Sequence, residues 1–435
     1  MRRVGRSWGR YPVTTEQVVT LLDRHAPLPQ PDHGFALPIG NARSYGDSCL
    51  NDGGTLYAIR GLDRFIAFDP TTGILTCEAG VLFSDILDLV VPQGWFLPVT
   101  PGTRFITVGG AIANDVHGKN HHRAGTFGHH VLAFELLRTD GSRIRCSPDE
   151  QSDWFSATIG GLGLTGVITW ATIALRRIAS PWMSAESHRF ANLDTFFELS
   201  QASNQDYEYT VSWIDCAAQG NALGRGLFSR ANHAPNPSDA PASPPRQRIG
   251  VPVTPPLSLI NPYSLRIFNW LYYHRQRKSV RHDTVHYQPF FYPLDGISDW
   301  NRIYGPKGFV QYQCVVPPTA AETTMRELVR TIGNEGGGSF LAVLKQFGAK
   351  PSCGLLSFPR EGTTLALDFP LGDQRTLPLL DRLDAIVADV GGAVYPAKDA
   401  RMSGPSFRKY YPSWEAFSRF IDPGLSSSFW RRVTE

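Results

Sequence analysis

Between Thr100 and His130 the chain gathers residues able to hold an anion or move a proton. Thr100-Pro101-Gly102-Thr103 leads to Thr107-Val108-Gly109-Gly110-Ala111, then to Asn114-Asp115-Val116-His117-Gly118-Lys119-Asn120-His121-His122 and Gly125-Thr126-Phe127-Gly128. A run this rich in glycine, histidine and hydroxyls has no reason to exist as core, so it must lie against something polar and extended. Its five histidines lack acidic or cysteine partners at metal-ligand spacing, which argues against a metal site. Gly118-Lys119 resembles the end of a phosphate-binding P-loop, but Asn120 stands where Ser or Thr is needed and the upstream glycine is missing. Earlier, Ile39-Gly40-Asn41-Ala42-Arg43-Ser44-Tyr45-Gly46-Asp47 closes a short strand with small residues whose amides can form a nest for a pyrophosphate. Gly161-Leu162-Gly163-Leu164-Thr165-Gly166 has the GxGxxG form of a dinucleotide fold, yet VITWATIAL follows where a helix should begin. By itself that segment reads as a turn entering a strand.

The elements that must position these loops alternate without βαβ regularity. Helical spacing from 15 to 25, behind Thr14 and Thr15 as caps, predicts a helix. Strands are expected at 35–39 and across 55–80 with a hairpin at Asp69–Gly73, then a helix over 82–92 and further strands from 130 to 178. Past 180 a second set begins with EYTVSWIDCAA; strands are expected at 309–317, 339–347 and 363–370, with a helix over 319–333. The Pro- and Ser-crowded stretch 231–256 reads as a mobile loop, and the last forty residues, rich in Tyr, Trp and Phe, read as packing back on the body. The fold class is α+β.

Length and composition set outer limits. At 435 residues the chain exceeds one ordinary core, and 41 Gly with 33 Pro and only 19% charged residues fit many turns and ligand-hugging loops. A net charge of +3 with no dominant basic stripe excludes a nucleic-acid binder. Six scattered cysteines without CxxC spacing fit a reducing compartment. With no apolar leader and no long apolar run, the expectation is a cytoplasmic protein, at most peripheral at a membrane.

Taken in order, GNARSYGD, PGTRFITVGGAIANDVHGKNHHRAGTFGHHV, ATIGGLGLTGVITWATI, YPLDGISDWNRIYGPKGFVQYQ, SFLAVLKQFG, LDFP and YPAKDAR resemble the vanillyl-alcohol-oxidase or PCMH-type FAD-binding oxidoreductases, and within them the decaprenylphosphoryl-β-D-ribose 2′-oxidase branch. The resemblance covers most of the chain, and HGKNHH and YPAKDAR are its most specific parts. It implies a two-subdomain FAD lobe over 1–180, an α+β substrate (cap) lobe built on an antiparallel sheet over 181–392, and a C-terminal segment, 393–435, returning to the first lobe. It further implies FAD held by Ile39 to Asp47, Gly102, Thr103, Thr107 to Gly110, Asn114 to Gly118, Ile168 and Tyr395. Arg43 stands where related oxidases carry a flavin-linked histidine, so the FAD should be noncovalent.

By the same resemblance Lys398 contacts the substrate hydroxyl or the reduced ring; without it, Lys398 reads as a surface lysine. His117 is either general base or hydrogen-bond donor. Tyr45, Lys119, Trp213, Gln311, Gln313, Lys345 and Phe347 would form the sugar-phosphate pocket together with Lys398, and Trp300 stands close by. Mycobacterial members carry Cys two residues before the Asp of LDFP; here Ala366 stands there and can do no chemistry. The activity implied is oxidation of a secondary sugar alcohol, at the 2′-hydroxyl of polyprenylphosphoryl ribose. A separate NAD(P)H-dependent short-chain reductase would complete the epimerisation that feeds cell-wall arabinan. A soluble-sugar aldonolactone or alditol oxidase is the competing activity, and a non-catalytic flavin subunit docking a reductase is a third. Finally, the apolar patch Leu257–Tyr273 with Arg275, Arg277, Lys278 and Arg281 is either a membrane contact or a helix packed on its own domain.

Overall fold

The computed structural model describes residues 2–235, 249–335, 338–372 and 374–435. Three main sheets carry the chain, and the mixture of antiparallel sheets and segregated helices makes it α+β. The first is mixed: Arg2–Arg6 pairs antiparallel with Val13–Thr20, which lies parallel to Thr55–Ala58, and that strand in turn is parallel to Ala36–Ile39. The second is five antiparallel strands in the order Phe65–Asp69, Ile74–Glu78, Val167–Ala174, Val131–Leu137 and Arg143–Cys146. Helix Phe83–Val90 covers it with Phe83, Ile86, Leu87 and Val90 fully buried. The Asp69–Gly73 hairpin closes as its sequence requires, with Gly73 in the left-handed region at φ 72°.

A third, eight-stranded antiparallel sheet runs Val280–His286, Trp182–Phe190, Gly226–His233, Tyr209–Ile214, Ala342–Phe347, Gly362–Pro370, Phe309–Val316 and Ala393–Val394. Helices Ala321–Asn334 and Thr376–Asp389 bury Met325, Leu328, Ile332, Leu379, Leu383 and Val387 against one of its faces. Tyr312, Cys314, Leu344, Leu365 and Leu367 supply the sheet side of that core. Because strand side chains alternate, the intervening residues all point the other way. The three strands expected at 309–317, 339–347 and 363–370, and the helix expected between them, are all present.

Two expectations need correction. Residues 13–20 form a strand rather than a helix. Six of the eight are β-branched, and the segment has ladder partners on both sides, so pairing outweighs the helical spacing of Val18, Val19, Leu21 and Leu22. The Pro-rich segment starts later than expected, because Gly226–His233 continues as a strand and Ile249–Gly250 pairs with Ile297–Ser298. The rest of that expected loop, 236–248, lies outside the described residues. As anticipated, the C-terminal aromatics pack inward: Tyr410, Tyr411, Phe417 and Phe429 are buried.

Candidate active site

The free face of the eight-stranded sheet and the glycine-rich loops of the first half enclose one cavity of about 1100 Å³, above the roughly 300–1,000 Å³ usual for small-molecule sites. Strand alternation supplies its sheet wall. Gln311 and Gln313 come from one strand, Thr364 and Ala366 from the next, Val343 and Lys345 from the third, and Val211 and Trp213 from the fourth. In register, Gln311 lies opposite Asp368, Gln313 opposite Ala366, and Lys345 opposite Thr364.

The opposite wall is loop backbone. Asn41 Nδ2 donates to the Phe105 carbonyl at 2.7 Å and so fastens the loop after Ala36–Ile39 to the loop before helix Val108–Ala113. Gly40 must be glycine, since a Cβ there would come within 2.3 Å of Thr107 Oγ1, which caps that helix through Gly110 N. Ala42 sits at φ 49°, turning the chain into a nest. Among the described residues the amides of Asn41, Ala42, Arg43 and Ser44 donate to nothing, nor do those of Gly102 and Thr103. Residues 41–44 and 103 are half-buried, and half-buried amides without partners are costly unless a ligand or water takes them. Side chains add to the inventory: Arg43 Nε, Ser48 Oγ and His117 Nδ1 are buried and unpartnered. A Cβ on Gly102 would meet only open space. An extended, anion-bearing ligand with polar ring edges matches this set, and the donors fit FAD.

At the junction of the two walls sit the titratable groups. Lys398 ends the turn Pro396–Lys398, and its Nζ lies 3.7 Å from the Tyr45 ring centroid. Burial pushes the Lys398 ammonium down and Lys345 pushes it the same way, while the carboxylate of Asp368 opposes both. Asp368 is driven up by burial; it accepts hydrogen bonds from Gln311 Nε2 and, at 3.2 Å, from Tyr304 OH. Burial lowers Lys345 to about 8 and Lys119 to about 7. Lys119 is spoken for, since its Nζ donates to the Phe290 carbonyl at 2.6 Å and faces the Phe290 ring. Among the described residues Lys345 Nζ makes no hydrogen bond and lies over the Phe347 ring, 5.9 Å from its centroid.

His117 accepts from Gln313 Nε2 at 3.0 Å through its own Nε2, leaving the unpaired Nδ1 to carry the ring proton. Burial first, then Lys345, His121 and Lys398, lower its pKa well below the ordinary value. The imidazole therefore stays neutral. The other histidines serve as struts: His122, His129 and His130 donate through Nε2 to the carbonyls of Tyr207, Pro351 and Ala124, and His121 Nδ1 accepts from Gly348 N.

Most of the residues singled out from the sequence line this cavity: Ile39 to Tyr45, Gly102, Thr103, Thr107, Gly109, Gly110, Asn114, Val116 to Lys119, Ile168, Trp213, Trp300, Gln311, Gln313, Lys345, Tyr395 and Lys398. Five do not. Gly46 is pressed against the Asp399 carbonyl, where a Cβ would come within 1.5 Å. Asp47 pairs with Arg432, and Val108 is core. Asp115 accepts from Gly128 N and Ser357 Oγ at 3.0 and 2.6 Å, which holds the histidine-bearing loop from behind. Phe347 packs edge-on to His117 with centroids 4.8 Å apart. Sequence reasoning gave no site role to Trp8, whose ring lies 4.1 Å below the Arg43 guanidinium, or to Asp368. The Gln311–Asp368 pairing is a matter of strand register, so no local signal announces it.

Comparison with known proteins agrees with this chemistry. Residues 12–147 match the FAD binding domain family. The decaprenylphosphoryl-beta-D-ribose oxidase of Mycolicibacterium smegmatis is 36% identical over 401 residues, 88% of this chain and 85% of the relative. An uncharacterized protein in the mprA 5′ region of Streptomyces coelicolor is 35% identical over 80% of this chain and 98% of its own. A putative D-arabinono-1,4-lactone oxidase of Neurospora crassa is 28% identical over 28% of this chain and 23% of its own. The chain binds FAD, acts as an oxidoreductase, and belongs to the vanillyl-alcohol-oxidase (PCMH-type) family of FAD-binding oxidoreductases.

Proposed function

We propose that this protein oxidises a secondary hydroxyl of a sugar carried on a polyprenyl phosphate, the 2′-hydroxyl of polyprenylphosphoryl ribose, using FAD held without a covalent bond. In this reading the eight-stranded sheet is a substrate lobe facing a two-part FAD lobe, and the C-terminal segment returns to the latter. The observation that carries the reading is that Lys345, Gln311 and Gln313 of the sheet wall share one cavity with Lys398, on its turn at the wall's edge, and with the unpartnered loop amides. The relative's 36% identity spans both walls.

The loop amides of 41–44 and 102–103 would hold the pyrophosphate, and the Nδ1–H of His117 would donate to the ring. Bound FAD supplies the two-electron acceptor for the carbinol C–H. Lys398, partly neutral near physiological pH because of its burial, takes the hydroxyl proton, and Asp368 steadies the resulting ammonium. Since the basic lone pair of His117 is already engaged by Gln313 and its cation is disfavoured, His117 acts as donor and not as base. Gln311 and Gln313 orient the ring hydroxyls, and Lys345 offers an uncommitted cation to a phosphodiester. Arg43, stacked on Trp8, cannot form the covalent flavin link that histidine forms in related oxidases.

Anaerobic mixing tests the reading. Polyprenylphosphoryl ribose should bleach the flavin absorbance, and simple aldonolactones or alditols should leave it unchanged; the reverse pattern would install the soluble-sugar oxidase instead. Acid precipitation should leave the yellow colour in the supernatant, and colour in the pellet would end the noncovalent assignment. A pH dependence follows from Lys345. Its ammonium is lost as pH rises through about 8, so kcat/KM for a phosphate-bearing substrate should fall above that pH. An analogue lacking the phosphate should not show that fall, and identical profiles for the two would detach Lys345 from phosphate recognition.

A further inference from the structure

Helix Pro262–His274 is amphipathic the wrong way round for a helix packed on its own domain. Its inner face is anchored by Leu265, by Asn269, whose Nδ2 donates to Asp215 at 2.9 Å, and by Tyr272, whose ring packs at a tilt against Trp213 with centroids 4.6 Å apart. Positions 263, 267, 270 and 271 fall on the opposite face at helical spacing. There Tyr263 is 80% exposed, Ile267 63%, Trp270 54% and Leu271 56%, and Leu257 just upstream is 77% exposed. A stripe of large apolar and aromatic side chains held in water is the pattern of a docking surface.

The charge beside it indicates which kind. From 257 to 281 there are five Lys or Arg (Arg266, Arg275, Arg277, Lys278 and Arg281), all exposed, and no Asp or Glu; Arg281 pairs with Asp283 at 2.8 Å, which leaves four cations to border the stripe. An apolar face with Trp and Tyr bordered by cations matches an anionic lipid surface, where rings sit at headgroup level and cations meet phosphates. The location agrees, since Tyr272 and Arg275 also line the active-site cavity, so the patch lies at its rim. We propose that this helix lays the protein on an anionic phospholipid bilayer, with the cavity opening toward the membrane to receive a lipid-linked substrate. The last clause rests on the function proposed above; the docking itself does not.

Flotation of the purified holoenzyme with phosphatidylcholine vesicles, with and without phosphatidylglycerol, tests it. Expected is co-flotation with the phosphatidylglycerol vesicles alone, weakened by salt, with a blue shift of tryptophan emission that Trp270→Phe removes. Ile267→Glu and the pair Arg277→Glu/Lys278→Glu should each cut partitioning roughly tenfold or more, while bound flavin and thermal midpoint stay unchanged. No flotation, or flotation indifferent to these substitutions, overturns the inference. So does a concentration-dependent dimer that Ile267→Glu dissociates, because the stripe would then be covered by a second copy. Vesicle binding is read without turnover, so a wrong assignment of the sugar substrate would leave this result intact.

Discussion

Replacing Lys398 by alanine should leave a yellow, fully folded protein whose anaerobic reduction by substrate is slower by roughly 10²–10³-fold, the size of effect seen when one group acting on the reacting atoms is removed from an enclosed site. Retention of flavin is expected because Lys398 borders the cavity without closing it, and no hydrogen bond of the described residues runs through its Nζ. Slowing is expected because the neighbouring groups cannot stand in: Tyr45 is pushed well above its usual range by burial, His117 well below, and Lys119 donates to a carbonyl. The pH profile separates a proton acceptor from a mere cation. With Lys398 as acceptor, the wild-type reduction rate rises as pH climbs through its lowered pKa, and that limb disappears in Lys398→Ala. Lys398→Arg should not restore the rate, since guanidinium keeps its proton throughout. If Lys398→Arg proves active, the side chain serves as a fixed positive charge; if Lys398→Ala is reduced as fast as wild type, it has no part in the chemistry.

Much of this site was readable from the residues because its parts are local. The nest at 40–44 follows from glycines and small residues at fixed offsets, and the sheet wall follows from strict alternation, which puts Gln311 with Gln313 and Thr364 with Ala366 on one face. What escaped was non-local. Residues 13–20 carry helical spacing, and only their ladders to Arg2–Arg6 and Thr55–Ala58 make them a strand. Asp368 looks like an ordinary acidic residue within LDFP until strand pairing sets it against Gln311, where its charge is felt by Lys398. Gly46, Asp47 and Asp115 belong to motifs that line the cavity, so adjacency in sequence placed them in it. They support the wall from behind.

The second large effect concerns that support. Lys398 stands on a turn with no long element of its own, and its position is set by contacts with distant parts of the chain. Tyr45 N donates to the Ala397 carbonyl at 2.9 Å, Gly46 presses on the Asp399 carbonyl, and the C-terminal helix Ser428–Thr434 contributes Arg432. Arg432 meets Asp47 through Nε and Nη2 at 2.9 and 2.7 Å and reaches Asp399 at 3.0 Å. Both carboxylates are almost wholly buried, 4% and 3% exposed, so one guanidinium clamps the nest loop to the lysine turn. Arg432→Met would leave two buried carboxylates facing each other with no cation between them, Asp399 keeping only its bonds from the Arg401 and Met402 amides, a loss of about 3–5 kcal/mol.

The sign of its pH dependence follows from Asp47. Burial already raises the Asp47 carboxyl while Arg432 holds it down, so without Arg432 its folded-state pKa moves further above the unfolded value. A carboxyl raised in the folded state favours folding at low pH and loses that contribution as pH rises through its folded pKa. The deficit of Arg432→Met relative to wild type should therefore be smaller at pH 5 than at pH 8, and adding Asp47→Asn should recover part of it. Thermal melts at the two pH values measure this, and flavin release during gel filtration reports whether the nest has loosened. A variant as stable as wild type at pH 8 would show that the clamp is ornamental and that the turn bearing Lys398 is held by backbone contacts alone.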